Sequence, residues 1–128
     1  MDTKNLGFLL ILAIFFCLPL VSSIDLDINY KPIQDTVIND GDNPGIFEFS
    51  VTNNGPSGNF EIYTFERFIL EPEKFSLDNG KSTRIFLKLY PEGSMKKNVG
   101  HLEVPIFFRE DGKSETQQQN IFIELVSF

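Results

Sequence analysis

Residues 46–52 read IFEFSVT, and this stretch decides the fold. Phe47, Phe49 and Val51 alternate with polar side chains, which is the period of a β-strand with one face buried and one face in solvent. The next six residues, NNGPSG at 53–58, supply the glycine, asparagine and proline that favour a turn. The segment therefore predicts a strand that ends in a tight turn.

The same pattern of alternation and turn recurs on both sides of this strand. No segment of residues 24–128 shows a sustained helical period. Further strands are predicted at 24–30, 36–38, 59–68, 83–90, 100–109 and 119–126. Seven or eight short strands separated by turns in one domain indicate an all-β fold, an antiparallel β-sandwich.

Two prolines bear on the strand order. Lys31 and Pro32 are expected to end the first strand. Pro105 lies inside a strand that the topology would make central, where proline removes a ladder hydrogen bond. We therefore expect either a bulge at Pro105 or a strand that is closer to an edge.

Residues 1–23 have the anatomy of a secretory signal. The apolar run LGFLLILAIFFCLPLV spans residues 6–21, and a helix needs about 20 residues to cross a bilayer comfortably. We expect cleavage after Ser23 and a secreted or cell-surface domain at 24–128. The alternative is an uncleaved signal anchor, in which residues 6–21 would be the membrane contact. Cleavage would remove Cys17, which is the single cysteine.

The charge balance excludes some partners. The formal net charge is −7, and the largest basic cluster is the pair Lys96 and Lys97. Binding to nucleic acid or to an anionic membrane needs concentrated Lys and Arg. The charge balance therefore argues against a nucleic-acid or anionic-membrane partner, and it mainly favours solubility.

A family resemblance rests on three stretches. PGIFEFSVTNNG at 44–55 precedes SLDNGKS at 76–82, and GHLEVPIFFRE at 100–110 forms the return strand. This order resembles exported immunoglobulin-like domains of archaeal and bacterial surface proteins, akin to the NPCBM-associated and PapD-like groups. The resemblance implies an immunoglobulin-like sandwich without catalytic residues.

Residues that carry chemistry are sparse. His101 is the single histidine, and general acid–base catalysis or a transition-metal site would need converging partners. We expect His101 to face solvent, and we expect the chain not to be an enzyme. A hydrolase would require two carboxylates that face each other in a pocket.

One loop invites a calcium interpretation. Asn39, Asp40, Asp42 and Asn43 supply oxygen ligands in a segment that could curl around an ion. The same residue types are preferred turn formers, so an ordinary turn is the competing interpretation. No other cofactor is expected.

Five aromatic residues are candidates for an interaction patch. Phe86, Tyr90 and Phe107 occupy the alternating positions of their strands at which solvent-facing, polar side chains are expected. Tyr63 and Phe65 share one face of the predicted strand at 59–68. Exposed apolar patches mark partner surfaces. The alternative is that the 14 phenylalanines simply enlarge the core.

These observations favour a non-catalytic module for protein contact, adhesion or assembly at the cell envelope. The contact would use a sheet face or a free strand edge. The alternative function is an envelope chaperone or ligand-binding protein that uses a free strand edge.

Overall fold

The computed structural model describes residues 24–38, 43–92 and 99–127. The predicted signal segment at 1–23 lies outside these ranges. Within them the chain forms nine strands, which are β1 (Leu26–Gln34), β2 (Thr36–Ile38), β3 (Gly45–Asn53), β4 (Gly58–Tyr63), β5 (Phe68–Glu71), β6 (Lys74–Leu77), β7 (Ser82–Pro91), β8 (Gly100–Glu110) and β9 (Thr116–Val126).

The strands form two packed sheets. One sheet has four strands in the order β1-β3-β7-β5, and the other has five in the order β2-β9-β8-β4-β6. All pairs are antiparallel except β2 with β9. The chain passes from the first sheet to the second at Asp35, whose carbonyl accepts the backbone N–H of Glu124 at 2.9 Å. This arrangement is the immunoglobulin-like sandwich that the sequence predicts.

The core lies between the sheets and follows the predicted alternation. Phe49 of β3 and Phe108 of β8 meet across it, with ring centroids 5.8 Å apart. Burial of each large apolar side chain contributes about 1.5–3 kcal/mol. The central strands contribute the buried residues Phe47, Phe49, Val51, Ile85, Leu87, Leu89, Val104, Ile106, Phe108, Ile121, Ile123 and Leu125.

The prediction of one strand at 59–68 is wrong. Strand β4 ends at Tyr63, and after a connection at 64–67 the chain enters β5 of the opposite sheet at Phe68. Strand β6 then returns to the five-stranded sheet and pairs with β4. The prediction failed because the aromatic alternation continues through Phe65, although the chain has already left the sheet.

Both prolines have a structural explanation. Strand β1 continues through Pro32 because it is an edge strand, and its register against β3 shifts between Pro32 and Gln34. At Pro105 the register of β8 against β9 is continuous. Strand β4 pairs with β8 from Phe107 onward, so Pro105 lies beyond the end of β4. No bulge is observed at Pro105, and the expectation of a strand nearer the edge is wrong, because β8 is the middle strand of its sheet. Proline is tolerated there because Pro105 has no partner on β4.

A buried amide joins two of the turns that carry the family resemblance. The side chain of Asn53 donates to the carbonyls of Pro56 at 2.9 Å and Leu77 at 3.0 Å, and it accepts the N–H of Gly55 at 2.9 Å. The backbone carbonyl of Asn53 accepts the N–H of Gly80 at 2.6 Å. These bonds hold the turn after β3 against the turn before β7.

Candidate functional site

The five predicted patch residues divide between the two outer faces of the sandwich. Tyr63, Phe65 and Phe107 lie together on the outer side of the five-stranded sheet. Phe86 and Tyr90 lie on β7, in the four-stranded sheet. A single continuous patch is therefore not formed.

Tyr63, Phe65 and Phe107 form a compact group, which we call the aromatic cluster. The Tyr63 and Phe107 rings are stacked with centroids 5.4 Å apart. Phe65 meets the edge of Tyr63 at 5.5 Å and lies 5.2 Å from Phe107. Such ring pairs stabilise by about 0.5–1.5 kcal/mol beyond the area they bury.

The connection at 64–67 holds Phe65 in a defined position. The Thr64 hydroxyl donates to the carbonyl of Pro105 at 2.8 Å and accepts the N–H of Glu66 at 3.2 Å. The carbonyl of Arg67 accepts the N–H of Glu92 at 3.0 Å. Despite this anchoring, Phe65 is 81% exposed. The fold thus presents an aromatic ring to solvent on a fixed backbone.

A cation flanks the aromatic cluster. The guanidinium of Arg109 lies 5.1 Å from the centre of the Tyr63 ring, a favourable cation–π position. The same group forms a hydrogen-bonded ion pair with Glu61. The hydrogen bond to Glu61 raises the pKa of Arg109 above its ordinary value. Arg109 therefore remains charged, and its paired side chain supports Tyr63 from one side.

Sequence reasoning missed a fourth aromatic residue on this face. Phe122 on β9 is 60% exposed and lies opposite Glu103 of β8. It lines a shallow cavity of about 360 Å³ together with His101, Glu103, Glu124 and Asp35. The sequence did carry a signal for the exposure of Phe122, because strand alternation places it on the face opposite to the buried residues Ile121 and Ile123. His101 is exposed, as predicted.

The outer face of the four-stranded sheet is dominated by charge. Glu48 lies 3.7 Å from the ammonium of Lys31 and 3.6 Å from the guanidinium of Arg84. Phe86 is 54% exposed and pairs with Glu48 across the strands, whereas Tyr90 is half-buried. Phe86 therefore borders an ion-pair network, and no ring contact between Phe86 and Tyr90 is observed among the described residues.

Among the described strands, three of the four edge strands are short, and the long edge strand is capped at its first residue. Edge strands β2, β5 and β6 have three, four and four residues. The long edge strand β1 is capped by the Gln117 side chain, which donates to the carbonyl of Leu26 at 2.8 Å and accepts its N–H at 2.6 Å. Farther along β1, Pro32 has no backbone N–H that could donate a hydrogen bond to an added strand. These are devices by which proteins prevent strand addition.

The calcium candidate lies mostly outside the described residues. This applies to Asn39, Asp40 and Asp42, whereas the carbonyl of Asn43 accepts the N–H of Ile38 at 3.3 Å. Within 24–38, 43–92 and 99–127, no three His, Cys, Asp or Glu side chains converge as a metal site. In the same ranges no helix has the length and apolar character needed to cross a membrane.

Comparison with known proteins supports the fold. A FixG-related protein from Vibrio parahaemolyticus matches with a TM-score of 0.62 at 8% identity, over 78% of this chain and 95% of that one. An MSP family member from C. elegans matches with a TM-score of 0.37 at 16% identity, over 79% and 97% of the two chains. A chaperone-tip adhesion subunit complex of Csu pili from Acinetobacter baumannii also has a TM-score of 0.37, at 13% identity over 80% and 56%.

Among these three, the FixG-related likeness is the one that supports the fold, because the other two TM-scores are below 0.5. No protein-family model and no curated protein matches the sequence. The narrower NPCBM-associated or PapD-like assignment is therefore not shown. The strand order and the structural likeness together give an immunoglobulin-like β-sandwich.

Proposed function

We propose that this chain is a non-catalytic, exported module that binds a partner protein at the cell envelope. The binding surface is the outer face of the five-stranded sheet, centred on the aromatic cluster. The observation that carries the proposal is the 81% exposure of Phe65, held by hydrogen-bonded backbone against Tyr63 and Phe107. Aromatic anchors of this kind dominate the energetics of protein interfaces.

The sequence of residues 1–23 supports the exported location. A cleaved signal gives a diffusible domain, and a retained one gives a domain tethered through residues 6–21. Cell fractionation combined with mass spectrometry of the N-terminus distinguishes the two. A cytoplasmic protein that retains residues 1–23 would refute export.

The geometry favours a face over an edge as the binding element. An envelope chaperone that captures client strands needs a free, extended edge. Gln117 occupies the backbone groups of Leu26 on β1, and the other edge strands have three or four residues. No described side chain covers the aromatic cluster in the way that Gln117 covers the backbone groups of Leu26.

The test compares Phe65→Ser with Phe86→Ser, because both residues are exposed and lie on opposite outer faces of the sandwich. Tagged protein would be crosslinked in native cells, and its partners quantified by mass spectrometry. We expect partners recovered with the wild type to be lost with Phe65→Ser and retained with Phe86→Ser. Thermal unfolding should show both variants folded, because Phe86→Ser is a surface substitution that costs about 0.5 kcal/mol or less. Phe65→Ser loses two ring contacts of about 0.5–1.5 kcal/mol each, which is less than the roughly 5–15 kcal/mol that stabilises a typical domain. Equal recovery with both variants would contradict the proposal.

A further inference from the structure

The outer face of the five-stranded sheet has a second, differently charged region beside the aromatic cluster. Phe122, 60% exposed, shares a cavity with three carboxylates, those of Asp35, Glu103 and Glu124. No Lys or Arg is among the described residues that line this cavity. An aromatic face surrounded by carboxylates attracts a cation both through the ring quadrupole and through opposite charge.

The carboxylate of Glu103 is held in place. Glu103 accepts a hydrogen bond from the Asn120 amide at 2.7 Å, and Gln118 in turn donates to Asn120 at 2.7 Å. Glu124 lies opposite His101 in the β8–β9 register. The negative charge thus lies beside Phe122 and on the side of Phe122 away from the aromatic cluster, because Glu103 pairs with Phe122 and Phe107 pairs with Gln118. It adds to a net charge of −7 for the whole chain.

The spacing between the two regions follows from the strand register. Phe122 pairs with Glu103, and Phe107 belongs to the aromatic cluster on the same strand as Glu103. Four residues of extended strand span about 14 Å, with side chains on the same face. An extended segment that carries two side chains four positions apart would therefore reach both regions.

We propose that the partner contacts this face with an extended segment that has an apolar anchor and a basic residue four positions apart. The anchor packs on the aromatic cluster, and the Arg or Lys lies over Phe122 between Glu103 and Glu124. This inference rests on the proposed function, because it names the chemistry of the partner for the same face. Charge complementarity selects a basic partner over a neutral or acidic one.

The test uses three capped nine-residue peptides of Ser and Thr. The first has phenylalanine and arginine four positions apart, the second has glutamate in place of the arginine, and the third has phenylalanine and arginine two positions apart. Backbone amide shifts of the isotope-labelled full chain report binding and its location. We expect the first peptide to bind at least about fivefold more tightly than the other two, with shifts on β8 and β9.

Charge-neutral variants separate the electrostatic contribution from packing. Glu103→Gln with Glu124→Gln keeps an oxygen that can accept the Asn120 bond, and should remove the preference for arginine over glutamate. The matched control is Asp27→Asn with Glu71→Gln, two exposed acids on the four-stranded sheet, and it should keep the preference.

Three results would overturn the inference. These are equal or tighter binding of the glutamate peptide, equal binding of the peptide with the shorter spacing, and absence of binding by all three peptides. Loss of partners with Phe65→Ser in cells, combined with any of these results, would leave the proposed function standing and refute the basic partner. Retention of partners with Phe65→Ser would refute both.

Discussion

Replacement of Asn53 by alanine tests whether the two docked turns stabilise the sandwich. Asn53 is 1% exposed, and its amide makes three hydrogen bonds, to Pro56, Leu77 and Gly55. Each such bond contributes about 1 kcal/mol net, and a partner left buried without water costs more. The three together predict a loss of about 3 kcal/mol in the free energy of unfolding. For a domain of this size that corresponds to a fall in Tm of roughly 10–15 °C.

Urea unfolding followed by circular dichroism measures this loss directly. The matched control is Asn54→Ala, one residue along, because the Asn54 side chain is exposed while its backbone N–H, bonded to Asp25 at 2.9 Å, is unchanged. We expect the control to stay within about 0.5 kcal/mol of the wild type. If Asn53→Ala falls within 1 kcal/mol of Asn54→Ala, an estimate taken from the same hydrogen-bond scale, the bonds of Asn53 do not hold the turns together.

Three further predictions concern the core, two glycines and calcium. Phe49→Ala should lower the free energy of unfolding by about 3–5 kcal/mol, because the ring is fully buried between the sheets; a urea midpoint close to that of the wild type would contradict this. Gly45→Ala should destabilise by about 1–3 kcal/mol, because its new Cβ would lie 2.9 Å from a buried methyl of Val37. Gly58→Ala should cost less in the same urea assay, since its Cβ would meet the movable carboxylate of Glu110 at 2.8 Å; equal losses would refute the distinction. Calcium titration by calorimetry should give neither heat nor a shift in Tm if the loop that includes Asn43 is an ordinary turn, and a saturable heat would support the calcium interpretation instead.

Strands with one buried face were predictable from sequence. The alternation in 46–52 and 83–90 matches the buried and exposed residues of β3 and β7 almost position by position. The physical reason is that successive side chains of a strand point to opposite faces. A long strand with one face on the core therefore alternates between apolar and polar residues. The sheet assignment of β5 and β6 had no such signal, because strands of four residues are too short to show a period.

Three aromatic residues of the candidate surface were predictable from sequence, but their grouping and the presence of Phe122 beside them were not. The alternation of side chains along each strand correctly indicated that Phe107 and Phe86 point away from the core. It could not tell that they belong to different sheets, because sheet membership depends on where the chain crosses over. The role of Asn53 was also missed. Its position continues the buried alternation of Phe47, Phe49 and Val51, but asparagine in the sequence NNGPSG is ordinarily interpreted as a turn former.

The amide of Gln117 has a consequence for the order in which the domain folds. It joins β9 to Leu26 across a sequence separation of 91 residues, and β2 pairs with the same strand. Contacts over such distances form late, because long loops must close first. During synthesis, β2 and the Leu26 end of β1 therefore wait for the last strand to emerge, although β1 can already pair with β3. Until then the edge of the 11-residue strand β8, which later pairs with β9, is open to pairing with other chains. Rapid delivery of β9 therefore protects the newly made protein from aggregation.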